Sequence, residues 1–141
     1  MSFKDIATIA GSAMTAQSIR LNTIASNLAN AQSAAGSEAA TYHARKPVFA
    51  TVFQHSDELG GKGAGARVQV LDVVQSTEPL RKAYEPGNPL ANSDGMVFYP
   101  NVNPVEEMTD MLSASRAFET NVDVLTRLKS MQQDLLKLGE G

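Results

Sequence analysis

Pro100-Asn101-Val102-Asn103-Pro104-Val105-Glu106-Glu107-Met108 opens a stretch that runs to Leu138 with no glycine and no proline after Pro104, and Gly139 follows. Asn103 is a good helix cap, Pro104 sits where a first turn tolerates proline, and Glu106 falls three residues after the cap. The spacing predicts one helix of about 35 residues, about 50 Å long, stopped at Gly139. A chain of 141 residues folded as one domain should be only about 30 Å across. Such a helix must protrude or have long neighbours.

The first thirty residues supply one neighbour. Ser2 and Asp5 form a possible capping box, and Phe3, Ile6, Ala10 and Ala13 follow helical spacing. After Gln17 the stripe resumes at Leu21, Ile24, Leu28 and Ala31, while Ile9, Ala16 and Ile19 mark a second face. Small residues at Ala7, Ala10, Gly11, Ala13 and Ala16 permit close approach of another backbone. The bland reading is a core helix of a bundle; the sharper one is a polymerisation helix with partners on two sides. Ile6 to Ile19 carries no charge, but Thr, Ser, Gly and Gln dilute it and Asp5 offsets Lys4, so it reads as helix and not as a signal-peptide core. No run approaches the length of a membrane-spanning helix.

The middle changes period. Val48, Ala50 and Val52 alternate with Phe49, Thr51 and Phe53 after Pro47, which predicts a strand. Further strands are expected at Arg67 to Val74, Pro79 to Tyr84 and Met96 to Tyr99. Glu85-Pro86-Gly87-Asn88-Pro89 and Asn92-Ser93-Asp94-Gly95 are turn sequences. Gly60 to Gly65 lacks the spacing of a phosphate loop and reads as a hairpin loop expected to be dispensable.

Composition narrows the function. The 12 basic and 15 acidic residues leave a net charge of -3, which gives nucleic acid no basic footprint. There is no cysteine, and His43 and His55 have no third nitrogen or sulfur ligand, so no metal site is expected. Asp57-Glu58 and Glu106-Glu107 are adjacent carboxylates, but the second pair meets a helix dipole and needs no catalytic explanation. No Ser or Thr has a convincing base. No catalytic residue and no cofactor are assigned.

On the last helix Met108, Met111, Ser115, Phe118, Val122 and Leu125 keep a regular seam, after which the apolar set moves to Leu128, Met131, Leu135 and Leu138. That slip suggests two faces for two neighbours. The expected fold is α+β: two long terminal helices packed as a coiled-coil-like pair, with a small β-rich module inserted between them. Residues 1–35 and 104–141 would form a helical assembly core, and residues 36–103 the module, projecting sideways. Two helices cannot surround their own stripes, so helices of other copies or related proteins would complete the core. The candidate assembly surface is Phe3, Ile6, Ile9, Ala13, Ile19, Leu21, Ile24 and Leu28, with Met108, Met111, Leu112, Phe118, Val122, Leu125, Leu128 and Leu135. Aspartate at Val122 or Leu125 is expected to block assembly.

The run from Arg20 to Ala31, Arg-Leu-Asn-Thr-Ile-Ala-Ser-Asn-Leu-Ala-Asn-Ala, resembles the N-terminal signature of the bacterial flagellar rod and hook proteins. Tyr84 to Pro89, Gly95 to Met108 and Ser113 to Leu125 resemble the proximal-rod members of that family. The matching positions include Asn27, Asn30, Pro100, Asn101, Asn103, Pro104, Glu106 and Glu107. The Asp-Leu-Ala-Ile and Gly-Phe-Phe segments and the large middle domain of distal-rod and hook relatives are missing. Asn30 is followed by Ala31-Gln32-Ser33 where the signature usually continues through Thr or Asn-Thr, so the next loop is expected to differ in shape.

The resemblance implies a structural subunit of the flagellar drive shaft, assembled with copies of itself and other rod proteins into a hollow helical tube that transmits torque. It implies export by the flagellar type III apparatus, without a cleaved signal, to the periplasmic rod of the basal body. The terminal helices would build the tube and the β module would face outward; no enzyme, nucleic-acid partner or membrane insertion is implied. The alternative is a soluble adaptor or secretion chaperone forming a closed dimer. A closed dimer covers one stripe with itself, whereas a helical polymer needs each face to meet a different one.

Overall fold

A computed structural model describes residues 2–54 and 65–141. The order is α1 (Phe3–Asn30), β1 (Arg45–Gln54), β2 (Gly65–Gln75), β3 (Arg81–Tyr84), β4 (Met96–Tyr99) and α2 (Pro104–Glu140). The architecture is α+β: one helix at each end of the chain and a small antiparallel β module between them. His55, the Asp57-Glu58 pair and the Gly60 to Ala64 part of the glycine-rich loop lie outside the described residues.

Both helices begin where the caps dictate. The Ser2 amide donates to Asp5 Oδ2 at 2.7 Å, and the Asp5 amide donates to Ser2 Oγ at 3.2 Å. The Ser2 amide, and next the Ser2 hydroxyl, hold the Asp5 carboxyl below its ordinary value. At α2 the Asn103 side chain accepts from the amides of Val105 and Glu106. The expected stop at Gly139 does not occur there: α2 runs 37 residues to Glu140, with Gly141 as its cap. A glycine ends a helix by turning left-handed, and Gly139 does not take a positive φ.

The helices pack antiparallel, since Arg20 of α1 meets Asp110 of α2 at 3.1 Å while the later residue Asn27 faces the earlier residue Glu107. Among the described elements the α2 backbone lies against α1 alone, although Glu107 and Asp110 at its start share a cavity with Pro47 and Phe49 of β1, and α1 also carries β1 and β2. The covered line on α2 is Pro104, Glu107, Met111, Ala114, Phe118, Asn121, Leu125 and Leu128, an unbroken 3-4 alternation. The register slip expected after Leu125 is therefore not part of this contact. Ala114, fully buried, brings the two backbones close, and Ala10 and Ala16 are buried on the α1 side. From Lys129 to Glu140 every residue of α2 is exposed, because α1 has run out. This overhang of 12 residues is about 18 Å long.

The module divides into two two-stranded sheets. The β1–β2 ribbon pairs Arg45 with Gln75 and Gln54 with Gly65, and Leu71 is the extra residue of a bulge between Val48–Asp72 and Phe49–Val70. Its β2 strand lies on α1, where Ser12 Oγ accepts the Val68 amide at 3.0 Å and shields that edge. The module thus does not simply project sideways: the second stripe of α1, represented by Ala16 and Ile19, faces Val68 and Val70. In the smaller sheet Arg81 pairs with Tyr99 and Tyr84 with Met96, and Ala35 bonds Phe98 from the other side. Val97 and Phe98 are buried there.

The β3–β4 turn depends on Gly95, whose φ is +73°. A Cβ there would lie 2.8 Å from the Tyr84 ring and 3.2 Å from Pro86 Cβ. Gly95→Ala is expected to destabilise the fold by about 1–3 kcal/mol, read as a lower thermal midpoint. An unchanged midpoint would show that the turn relaxes freely.

Candidate assembly interface

Two asparagines from opposite ends of the chain grip one short segment. Asn27, 1% exposed, donates through Nδ2 to the Arg45 carbonyl at 2.9 Å. Its Oδ1 accepts the Arg45 amide at 2.9 Å and the Tyr42 hydroxyl at 2.8 Å. Asn101 Oδ1 accepts the neighbouring Ala44 amide at 2.7 Å, and its Nδ2 donates to the Glu78 carbonyl at 2.8 Å. The Ser76 amide closes the ring on the Ala44 carbonyl. The entry to β1 is therefore fixed by α1 on one side and by the segment leading into α2 on the other.

The other motif positions have narrower tasks. Asn103 caps α2, Pro104 occupies its first turn, Pro100 is buried, and Asn30 donates within α1 to the Ser26 carbonyl. Glu106 is exposed, whereas Glu107 is buried at the junction. Burial raises the Glu107 carboxyl above its ordinary value; Asn27 and Lys46 oppose the rise, and Asp110 and Glu106 add to it. Tyr42, whose ring lies 5.5 Å below the Arg45 guanidinium, is the participant that periodicity does not reveal.

The candidate assembly residues fall into two groups. Ile24 and Leu128 are buried, and Phe3, Ile6, Ile9, Ala13, Ile19, Leu21, Leu28, Met111, Phe118 and Leu125 are half-buried. These are largely spent inside the single chain. Met108, Leu112, Val122 and Leu135 are exposed, and Val105, Val124, Met131, Leu136 and Leu138 join them on α2. The helix thus turns smaller or polar side chains such as Glu107, Ala114 and Asn121 towards α1 and leaves many larger apolar ones outside. Covering these side chains would contribute about 25 cal/mol per Å² of apolar surface removed from water. No helix among the described residues is long and apolar enough to cross a membrane.

Residues 8–34 match the family described as flagella basal body rod protein, and residues 93–138 match flagellar basal body rod FlgEFG protein C-terminal. The two matches cover most of α1 and the approach to α2 with nearly all of that helix. The chain is 46% identical to the flagellar basal-body rod protein FlgC of Escherichia coli O157:H7, over 99% of this chain and 100% of the relative. It is 45% identical to that of Salmonella typhimurium over the same shares. The FlgC of Borreliella burgdorferi is 33% identical over 94% of this chain and 95% of its own length.

Proposed function

The chain belongs to the FlgC family of flagellar basal-body rod proteins, and from that premise we propose how it builds the rod. It is a structural subunit of the flagellar basal-body rod and not an enzyme. Assembly with other rod proteins follows from the family. The finer reading is that residues 1–35 and 104–141 form the assembly core and residues 36–103 an outer module that sets its orientation. Subunits contact copies of themselves and other rod proteins through the exposed apolar residues of α2, forming a hollow tube that carries torque. The protein reaches that place through the flagellar type III export apparatus.

The observation that supports this reading best is the apolar set on α2 left outside the α1 contact, from Met108 to Leu138. A tagged chain expressed in cells lacking their own copy should restore swimming and copurify with isolated basal bodies. Recovery only as a dimer in the cytosol would overturn the reading in favour of a closed adaptor.

A further inference from the structure

At the first turn of α2 the protein encloses a carboxyl where α1, α2 and β1 meet. Glu107 is 8% exposed and lines a cavity of about 200 Å³ with Thr23 and Ile24 of α1 and Pro47 and Phe49 of β1. The charged groups around it are Arg20 from α1, Arg45 and Lys46 from β1, and Glu106 and Asp110 from α2. Arg20 is committed to Asp110, and no cation among the described residues lies within ion-pair distance of Glu107. The Asn27 amide facing it donates one hydrogen to the Arg45 carbonyl and turns its other towards the carboxyl, which offsets part of the burial but supplies no charge. A carboxylate without a paired cation is costly in such a place, and the neutral acid costs far less.

We propose that Glu107 is a proton-operated latch between the helix pair and the β1–β2 ribbon. In the neutral form it lets the junction close around Asn27. In the ionised form it draws water or the Lys46 ammonium into the cavity, and the grip of Asn27 on the Arg45 backbone loosens. The proton passes to bulk water through the cavity mouth. The latch resides in the single chain and stands apart from how the chain assembles.

The sign follows from linkage. A carboxyl that titrates higher when folded contributes most below the ordinary glutamate range and loses that contribution as the pH rises through the folded value. The test compares wild type with Glu107→Gln by amide exchange and urea unfolding of the full chain, from about pH 4 to about pH 8. In wild type, protection of the Arg45 amide should fall about threefold or more across that range. The urea midpoint of wild type should fall relative to the variant, and the variant's Arg45 protection should stay level. Parallel trends in both proteins overturn the proposal, as does level protection at Arg45 while Glu107 titrates. If the variant does not fold, carbon-13 titration of Glu107 in wild type decides. A midpoint within or below the ordinary glutamate range overturns the latch, and a higher one with a matching change at the Arg45 amide supports it.

Discussion

Asn27→Ala is expected to cost about 3–4 kcal/mol of folding stability, more than any other side-chain truncation at the junction. The substitution removes one donor and one acceptor that together satisfy the amide and carbonyl of Arg45 and the Tyr42 hydroxyl. Those groups lie beside a side chain only 1% exposed, so water does not replace the lost bonds without opening the junction. With a urea slope of about 1–3 kcal/mol/M, the midpoint should drop by about 2 M. Asn30→Ala is the control, because the Asn30 side chain bonds the Ser26 carbonyl of its own helix, and a loss below about 1 kcal/mol is expected there. Equal losses in the two variants would mean that the clamp on Arg45 contributes nothing special.

The second large effect separates folding from assembly. Val122, 39% exposed, and Leu135, 53% exposed, stand outside the α1 contact, so Val122→Asp or Leu135→Asp should leave the monomer within about 0.5 kcal/mol of wild type. Both should nevertheless abolish swimming, with basal bodies lacking the variant subunit. Leu125→Asp lies on the covered line and places a charge against α1, and should cost about 2–4 kcal/mol in the isolated chain. The sequence alone treats Val122 and Leu125 as one seam; the structure gives them different failures. Normal motility in Leu135→Asp would remove the overhang from the assembly surface. A Val122→Asp monomer as unstable as Leu125→Asp would remove the distinction.

Much of this fold is written locally. The caps at Ser2 and Asn103, the alternation around Ala50 and Val68, and the Asn92 to Gly95 turn each act within a few residues, and a linear reading reaches them. The choice of seam on α2 is different. Apolarity finds Met111, Phe118 and Leu125, which do meet α1, but pairs them with Met108 and Val122, which are exposed, where the covered line has Glu107, Ala114 and Asn121. Close helix approach favours a residue as small as Ala114, and a protein destined for further contacts leaves its larger apolar side chains uncovered. The Leu71 bulge and the docking of β2 on α1 depend on contacts distant in sequence and leave no periodic trace. Asn27 is an intermediate case. A polar residue amid Ile24, Leu28 and Ala31 signals that something must answer it, but not that Arg45 and Tyr42 do.

The uncovered end of α2, from Lys129 to Glu140, makes the subunit an arrow. At one end of the helix pair the chain is closed by the Asn27 and Asn101 clamps; at the other a single helix stands bare. Units of this shape cannot be flipped without changing what they offer a neighbour. If such units stack as proposed, the stack would have a leading tip and a trailing tip, and the next subunit would meet two different ends.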